Sequence, residues 1–262
     1  MIIGTTRTCF VVADPVKQLR TPQGLNKIWE AEGRDIVTVP ARVGVPQLHD
    51  FLAGMRANAS VLGAVITVPH KQSVVDLCDE LGPNAQIVGA VNVIRRTDEG
   101  RLIGETFDGL GFVAGLRAEG IDPAGRRVVL LGAGGAARAV GVALLQAGAK
   151  CLDVSNRKTA RAVELIDLLL AEFPSADVGV GLDRISDADL IVNATAAGMS
   201  ASDESPISSS DFPSGGIAAD VVMDTQLTPF LLAASVKGNR THGGIHMLSG
   251  QTRLLSHYLA GS

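Results

Sequence analysis

An apolar run, a glycine-rich turn and a helix-forming stretch follow one another without interruption between Val128 and Val140, in the order VVLLGAGGAARAV. Gly132, Gly134 and Ala137 fit the pattern G-x-G-x-x-G/A. Each position answers a physical demand. The first glycine permits a tight turn at the end of a strand. The second lets the backbone approach a pyrophosphate closely, and the third small residue lets helix and strand pack together. The helix that opens there offers unpaired backbone N–H groups and the positive end of its dipole to phosphates. A second apolar run, Cys151–Asn156, follows at the spacing of a βαβ unit. The motif therefore predicts a dinucleotide-binding half built on a parallel sheet.

The rest of the chain supports an α/β class. Strand-like runs at Thr8–Ala13, Ile36–Pro40 and Ala64–Val68 alternate with helix-like stretches at Pro22–Gly33, Pro46–Arg56 and Gln72–Leu81. These strands are continuous apolar runs, the pattern of a parallel sheet covered on both faces. Two more strands are expected at Ile87–Ile94 and Arg101–Glu105, and a helix from Asp108. Past IDPAGRR a second alternation begins, with helices ending at Ala147 and spanning Thr159–Glu172, and a last helix over Ile245–Leu259. The polar stretch Ser200–Gly216 reads as a plain surface loop. Two blocks imply two domains, crossing near Glu105–Asp108 and again near Gly238–Gly244. The division expected is residues 1–107 completed by 244–262 as one domain, and 108–243 as the dinucleotide-binding domain.

Composition narrows the partners. A net charge of −4 and 3% aromatic residues argue against a nucleic-acid surface. Three scattered cysteines without metal-ligand spacing read as inert thiols in a reducing compartment. No apolar stretch reaches the roughly 18–20 residues of a membrane span, so a cytoplasmic protein is expected. The same reading expects no metal.

The choice of nicotinamide cofactor turns on the end of the second strand. NAD-binding folds place an acidic residue about 20 residues after the glycine turn, and Asp153 lies at that distance. Val154 and Ser155 continue the strand past it, so the strand end carries Asn156, Arg157 and Lys158, with Arg161 one turn into the next helix. Cationic side chains suit a 2′-phosphate. NADP is expected over NAD.

Several polar residues close apolar runs in the first block. They are Thr67 and Lys71 in TVPHK, Asn92 in GAVN and Asp108 in DGLG. Taken singly, each also reads as a turn, surface or helix-capping residue. Together with GAGGAARA, NRKTARA, NATAAGM and the closing GGIHMLSGQ, these motifs, in this order, resemble the shikimate dehydrogenase family over nearly the whole chain. The resemblance implies an α/β substrate domain and a Rossmann domain flanking a cleft, and reduction of 3-dehydroshikimate with NADPH in aromatic amino acid biosynthesis. Lys71 and Asp108 match the family's catalytic pair, and Thr67, Asn92 and Gln251 its substrate hydrogen-bonding positions. For the cofactor the matching positions are Gly132, Ala133, Gly134, Gly135, Ala136, Asn156, Arg157, Lys158, Arg161, Thr195, Val221, Gly244 and Met247. His70, beside Lys71, receives no chemical role.

The chain departs from the family pattern around the substrate. The two serines that bind the shikimate carboxylate in P-I-x-H-S-x-S-P are replaced by Leu19 and Thr21, and the tyrosine of D-x-x-Y by Met223. Losing a hydrogen bond to an ionised group costs about 1.5–3 kcal/mol. The substrate expected is therefore a cyclic hydroxy-carboxylate that need not be shikimate, with Lys17, Gln18 or Arg20 as other anion anchors. Two further readings stand beside this one, an NAD-dependent quinate-type dehydrogenase and a non-catalytic metabolite sensor. The expected assembly is a monomer or homodimer.

Overall fold

A computed structural model describes residues 2–17, 19–200, 203–223 and 227–261. Backbone contacts divide the chain into two compact units, Met1–Phe107 with Thr252–Ser262, and Asp108–Gln251.

The first unit holds strands β1 (Arg7–Ala13), β2 (Ile36–Arg42), β3 (Val61–Ile66), β4 (Glu80–Leu81), β5 (Val93–Arg96) and β6 (Leu102–Glu105), with helices α1 (Thr21–Ala31), α2 (Leu48–Ala57) and α3 (Pro83–Val88). The sheet order is β2-β1-β3-β5-β6-β4. Side chains alternate across it. Val12, Ala64 and Ile66 pack with Leu48, Leu52 and Met55 of α2 on one face. Cys9, Val11 and Val65 pack with Leu25 and Trp29 of α1, and with Leu255 and Leu259 near the chain end, on the other. The buried Trp29 indole N–H donates to Thr38 Oγ1 at 2.9 Å, which satisfies its one polar atom.

Three sequence expectations fail in this unit. The sheet is mixed, because β5 runs antiparallel to both β3 and β6. A tight turn at Thr97–Arg101 joins β5 to β6 as a hairpin, which leaves no room for a crossover helix. The helix expected over Gln72–Leu81 is a short 3-10 turn, Val75–Leu77, followed by β4. Asp79 draws this segment into the sheet, since its carboxylate accepts the Leu102 N–H at 2.7 Å and an ion pair from Arg56. The strand expected over Ile87–Ile94 begins only at Val93. Before it, Pro83 opens α3 and Gly89 closes it in the left-handed conformation.

The second unit holds β7 (Arg127–Leu131), β8 (Cys151–Ser155), β9 (Val178–Val180), β10 (Leu190–Asn193), β11 (Ile217–Asp220) and β12 (Arg240–His242). Its helices are α4 (Asp108–Ala118), α5 (Gly135–Gln146), α6 (Thr159–Glu172), α7 (Pro229–Val236) and α8 (Ile245–Ala260), the last shared with the first unit. All pairs are parallel, in the order β12-β11-β10-β7-β8-β9. This is the doubly wound Rossmann arrangement, whose strand order reverses between β7 and β10.

The division also differs from the expected one at 244–251, which belongs to the second unit. Glycines on α4 explain it. A Cβ on Gly111 would stand 2.7–2.9 Å from Gln251, and one on Gly115 would stand 2.6–3.0 Å from the His246 and Met247 backbone. Only bare backbone allows α8 this close, so the first half of α8 is packed onto α4. Among the described residues no helix is long and apolar enough to cross a membrane.

Candidate active site

In the first unit the candidate residues collect at one edge of the sheet. Strands β1, β3 and β6 run the same way, so their carboxyl ends share that edge, and the antiparallel β5 begins there. Thr67 and Lys71 follow β3, Asn92 immediately precedes β5, and Leu19 and Thr21 follow β1. The carboxyl edge of such a sheet is where α/β proteins bind ligands.

The Lys71 segment is held by backbone bonds. Thr67 N–H donates to Val12 O at 3.1 Å, His70 N–H to Thr67 O at 2.9 Å, and Val91 N–H to Lys71 O at 2.8 Å. His70 is wholly buried and its Nε2 lies 2.7 Å from Val43 O. It braces the segment against the loop after β2. Asn92 is buried, and its Oδ1 accepts the Phe107 N–H at 3.0 Å, which fixes the point where the chain leaves this unit.

Leu19 is half-buried and packs against the cluster around Leu25 and Trp29, and Thr21 opens α1. Lys17 and Arg20 are exposed, whereas Gln18 lies outside the described residues.

In the second unit a cavity of about 1060 Å³ opens at the switch point. Gly132, Ala133 and Gly134 form one wall, Asn156 and Arg157 another, and Thr195 a third. Gly132 has φ +111°, and a Cβ there would stand 2.9 Å from Ala194 O, so only glycine fits. Nothing lies within 4 Å of a Cβ on Gly134, whose open face is the place where a bulky anion could approach. Gly135 and Ala136 form the first turn of α5 and do not line the cavity. Lys158 and Arg161 are exposed beyond its lining.

Asp153 is removed from this cavity by its own partner. It sits in the middle of β8, and Arg184 donates to it through Nε at 2.7 Å and through a second, shorter bond. The strand end is left to Asn156 and Arg157.

Val221, Gly244 and Met247 lie apart from the cavity lining. A Cβ on Gly244 would stand 2.5–2.7 Å from the Val222 and Val221 carbonyl oxygens, so the turn after β12 lies directly against the segment after β11. Met223 ends that segment, half-buried, and Met247 is buried. Gln251 Nε2 donates to Asp108 Oδ1 at 2.5 Å, and both side chains are buried.

Two features escaped the sequence. Part of the stretch expected to be a plain surface loop lines the cavity, through Ser200, Asp203, Glu204, Ser205, Pro206 and Ile207. Asp203 recruits it, because its carboxylate accepts the Gly198 and Ser200 N–H groups at 2.9 Å each. These bonds hold the Asp203 carboxyl below the usual carboxylate range. An aspartate three residues after a serine was the available signal. The other feature is a buried polar network behind Thr195, treated below. The cysteines behave as expected. Burial pushes the Cys9 thiol up to about 12 and the Cys78 thiol to about 11, and also raises Cys151. Among the described residues no group of three or more His, Cys, Asp or Glu side chains is arranged to hold a metal ion.

Residues 11–94 match the model of the shikimate dehydrogenase substrate binding domain, and residues 117–214 match the shikimate / quinate 5-dehydrogenase model. The chain belongs to the shikimate dehydrogenase family. Within this family it is 34% identical over 258 residues to the shikimate dehydrogenase (NADP(+)) of Geobacter metallireducens, covering 95% of this chain and 90% of that one. The structure of shikimate 5-dehydrogenase from Thermus thermophilus, in complex with NADP(H) and shikimate, superposes with a TM-score of 0.87 at 33% identity, over 98% and 94% of the two chains. The ligand-free 5-ketofructose reductase of a Gluconobacter species superposes equally well, with a TM-score of 0.87 at 29% identity and the same coverage. The family fold thus covers proteins named for an acid substrate and for a keto sugar.

Proposed function

We propose that this chain is a cytoplasmic NADP-dependent oxidoreductase of the shikimate dehydrogenase type. It moves hydride reversibly between the nicotinamide and a hydroxyl or carbonyl of shikimate/3-dehydroshikimate or a related cyclic hydroxy acid, as a monomer or homodimer. The observation that carries the cofactor reading is the strand end after β8. Asp153 is locked to Arg184, and Arg157 stands on the cavity wall instead. A guanidinium there pairs with a 2′-phosphate, whereas an acidic residue would be needed for a free ribose hydroxyl.

The residues present fit the group. The open Gly134 backbone and the amino end of α5 suit a pyrophosphate. When bound, NADP supplies or takes up the hydride. The chain's own residues do the remaining work. Lys71 gives a proton to the substrate oxygen during reduction and removes it during oxidation. Asp108, held by Gln251, is the second member of the family's catalytic pair and orients the reacting hydroxyl. Thr67, Thr21 and Asn92 bind substrate oxygens.

A second substrate reading is favoured by Leu19. Its side chain packs into the core cluster of Trp29 and has no hydroxyl to donate, so the carboxylate subsite is weaker than a paired-serine one. Absorbance assays at the nicotinamide band decide the case, with shikimate, quinate and 5-ketofructose each run with both cofactors. Turnover of shikimate with strong NADP preference is expected if the first reading holds. Turnover of the keto sugar alone would move the substrate class. Silence with every compound, joined to tight ligand binding, would make the chain a sensor.

A further inference from the structure

Behind the cavity wall lie three polar side chains without any exposure, Asn193, Asp220 and Thr228. Asp220 ends β11. Its Oδ1 accepts from Asn193 Nδ2 at 3.1 Å and from the Val222 N–H at 3.0 Å, and its Oδ2 accepts the Thr228 hydroxyl at 2.5 Å. Thr228 caps α7 in turn, its oxygen accepting the Leu231 N–H at 3.3 Å. Asn193 carries the link outward. Its Oδ1 accepts the Thr195 N–H at 3.1 Å and the Thr195 hydroxyl at 2.7 Å, and its Nδ2 also donates to Ala197 O at 3.1 Å. Thr195 and Ala197 line the cavity, and the three buried residues do not.

A cap on α7 needs only the threonine. A buried carboxylate goes beyond that need, and burial does push the Asp220 carboxyl above its usual range against the pull of its donors. What the carboxylate adds is convergence. It joins the segment after β10, the segment after β11 and the start of α7 at one side chain. Gly198 closes against this junction, its Cβ direction ending 3.1 Å from Thr228 Cβ. Fully satisfied networks of this kind fix one arrangement of the loops they join.

We infer that Asp220 is a positioning residue for the cofactor: through Asn193 it fixes residues 194–198, and with them Thr195, in the shape of the cavity wall. The inference rests on the reading of that cavity as the NADP site. Asp220→Ala removes every acceptor. Asp220→Asn keeps Oδ1 for Asn193 and Val222 and turns the bond to Thr228 around. Phe230→Leu, a buried core change in the same unit, serves as a stability control.

NADPH titration followed by fluorescence is the direct assay, with steady-state kinetics beside it. Asp220→Ala is expected to weaken NADPH binding roughly tenfold or more. The cofactor KM rises in step while kcat at saturating cofactor stays within about threefold. Asp220→Asn recovers most of the affinity, and Phe230→Leu lowers Tm without moving it. If Asp220→Ala does not fold, Thr228→Val, which removes one donor, is expected to show the same KM effect in smaller degree. A folded Asp220→Ala or Thr228→Val protein that binds NADPH like the wild type overturns the inference. So does a Phe230→Leu protein that loses affinity equally at matched Tm. Failure of the wild type itself to bind NADPH would refute the reading of the cavity and take the inference with it.

Discussion

Gly132 and Gly134 are two residues apart in one turn, and replacing each with alanine should give opposite results. At Gly132 the backbone has φ +111°, and the new Cβ meets the Ala194 carbonyl oxygen at 2.9 Å and its carbon at 3.0 Å. These are backbone atoms of the neighbouring strand end and cannot swing away. A non-glycine residue held in such a conformation costs about 1–3 kcal/mol before any clash is counted. At about 2–4 °C per kcal/mol for a domain of this size, Tm of the ligand-free protein should fall by roughly 2–12 °C. At Gly134 the backbone is extended and nothing lies within 4 Å of the new methyl group. Alanine is a poorer N-cap than glycine but loses less chain entropy on folding, and these two small terms offset. Tm of Gly134→Ala should therefore match the wild type. The methyl group instead stands where the pyrophosphate would lie against backbone N–H groups. Each charge-assisted hydrogen bond lost is worth about 1.5–3 kcal/mol, or roughly 10- to 150-fold in NADPH affinity. Scanning fluorimetry without ligand and NADPH titration of the same two proteins read both effects. A Gly134→Ala protein that melts early, or that binds NADPH normally, would sink this account of the turn.

Lys71→Ala should abolish turnover and leave NADPH affinity within about twofold, since its segment lies in the first unit and the cofactor cavity in the second; stopped-flow binding beside a turnover assay checks this. Arg157→Gln should cut the preference for NADP over NAD by about tenfold or more, read as the ratio of the two kcat/KM values, with NAD turnover unchanged. Acid should destabilise the second unit through His242. Burial, aided by His246 and Arg240, depresses its imidazole from 6.5 to about 4, so between these values the unfolded chain binds a proton that the folded chain does not. Stability is then fully present above about pH 6.5 and is lost as pH falls toward 4, by about 3 kcal/mol in all. His242→Phe should flatten that slope in urea melts run from pH 7 to pH 4; an unchanged slope would clear His242 of the effect.

The parts of the fold that the sequence shows most clearly are those governed by local rules. The glycine turn is legible because the local G-x-G-x-x-A pattern signals it, and Gly132 is already demanded by its own positive φ. Helix Thr159–Glu172 matches its expected bounds because its apolar spacing and its flanking turns agree. The errors in the first unit arise where a distant residue decides. Val74, Val75 and Leu77 have helical spacing, yet Asp79 reaches Leu102 and Arg56 and pulls the chain into a strand. Val88, Val91 and Val93 look like one strand, yet Gly89 breaks the run. The site follows the same division. Residues 132–134, 156, 157 and 195 do gather around one cavity. The 203–207 wall was invisible because serine and proline composition reads as a solvated loop, and a single carboxylate brings it to the cavity.

The two amides expected to bind substrate show how far structure sharpens such a reading. Asn92 uses one lone pair of its amide oxygen on the Phe107 N–H, which orients its amide. Gln251 gives one of its two N–H groups to Asp108, which orients its amide in the same way. Under the proposed function, recognition of the acid group falls to the segment around Leu19 and Thr21. That segment departs from the family pattern at the first serine position, where Leu19 contributes packing rather than a donor. Under the proposed function, substrate choice is therefore set after β1, by residues other than Lys71.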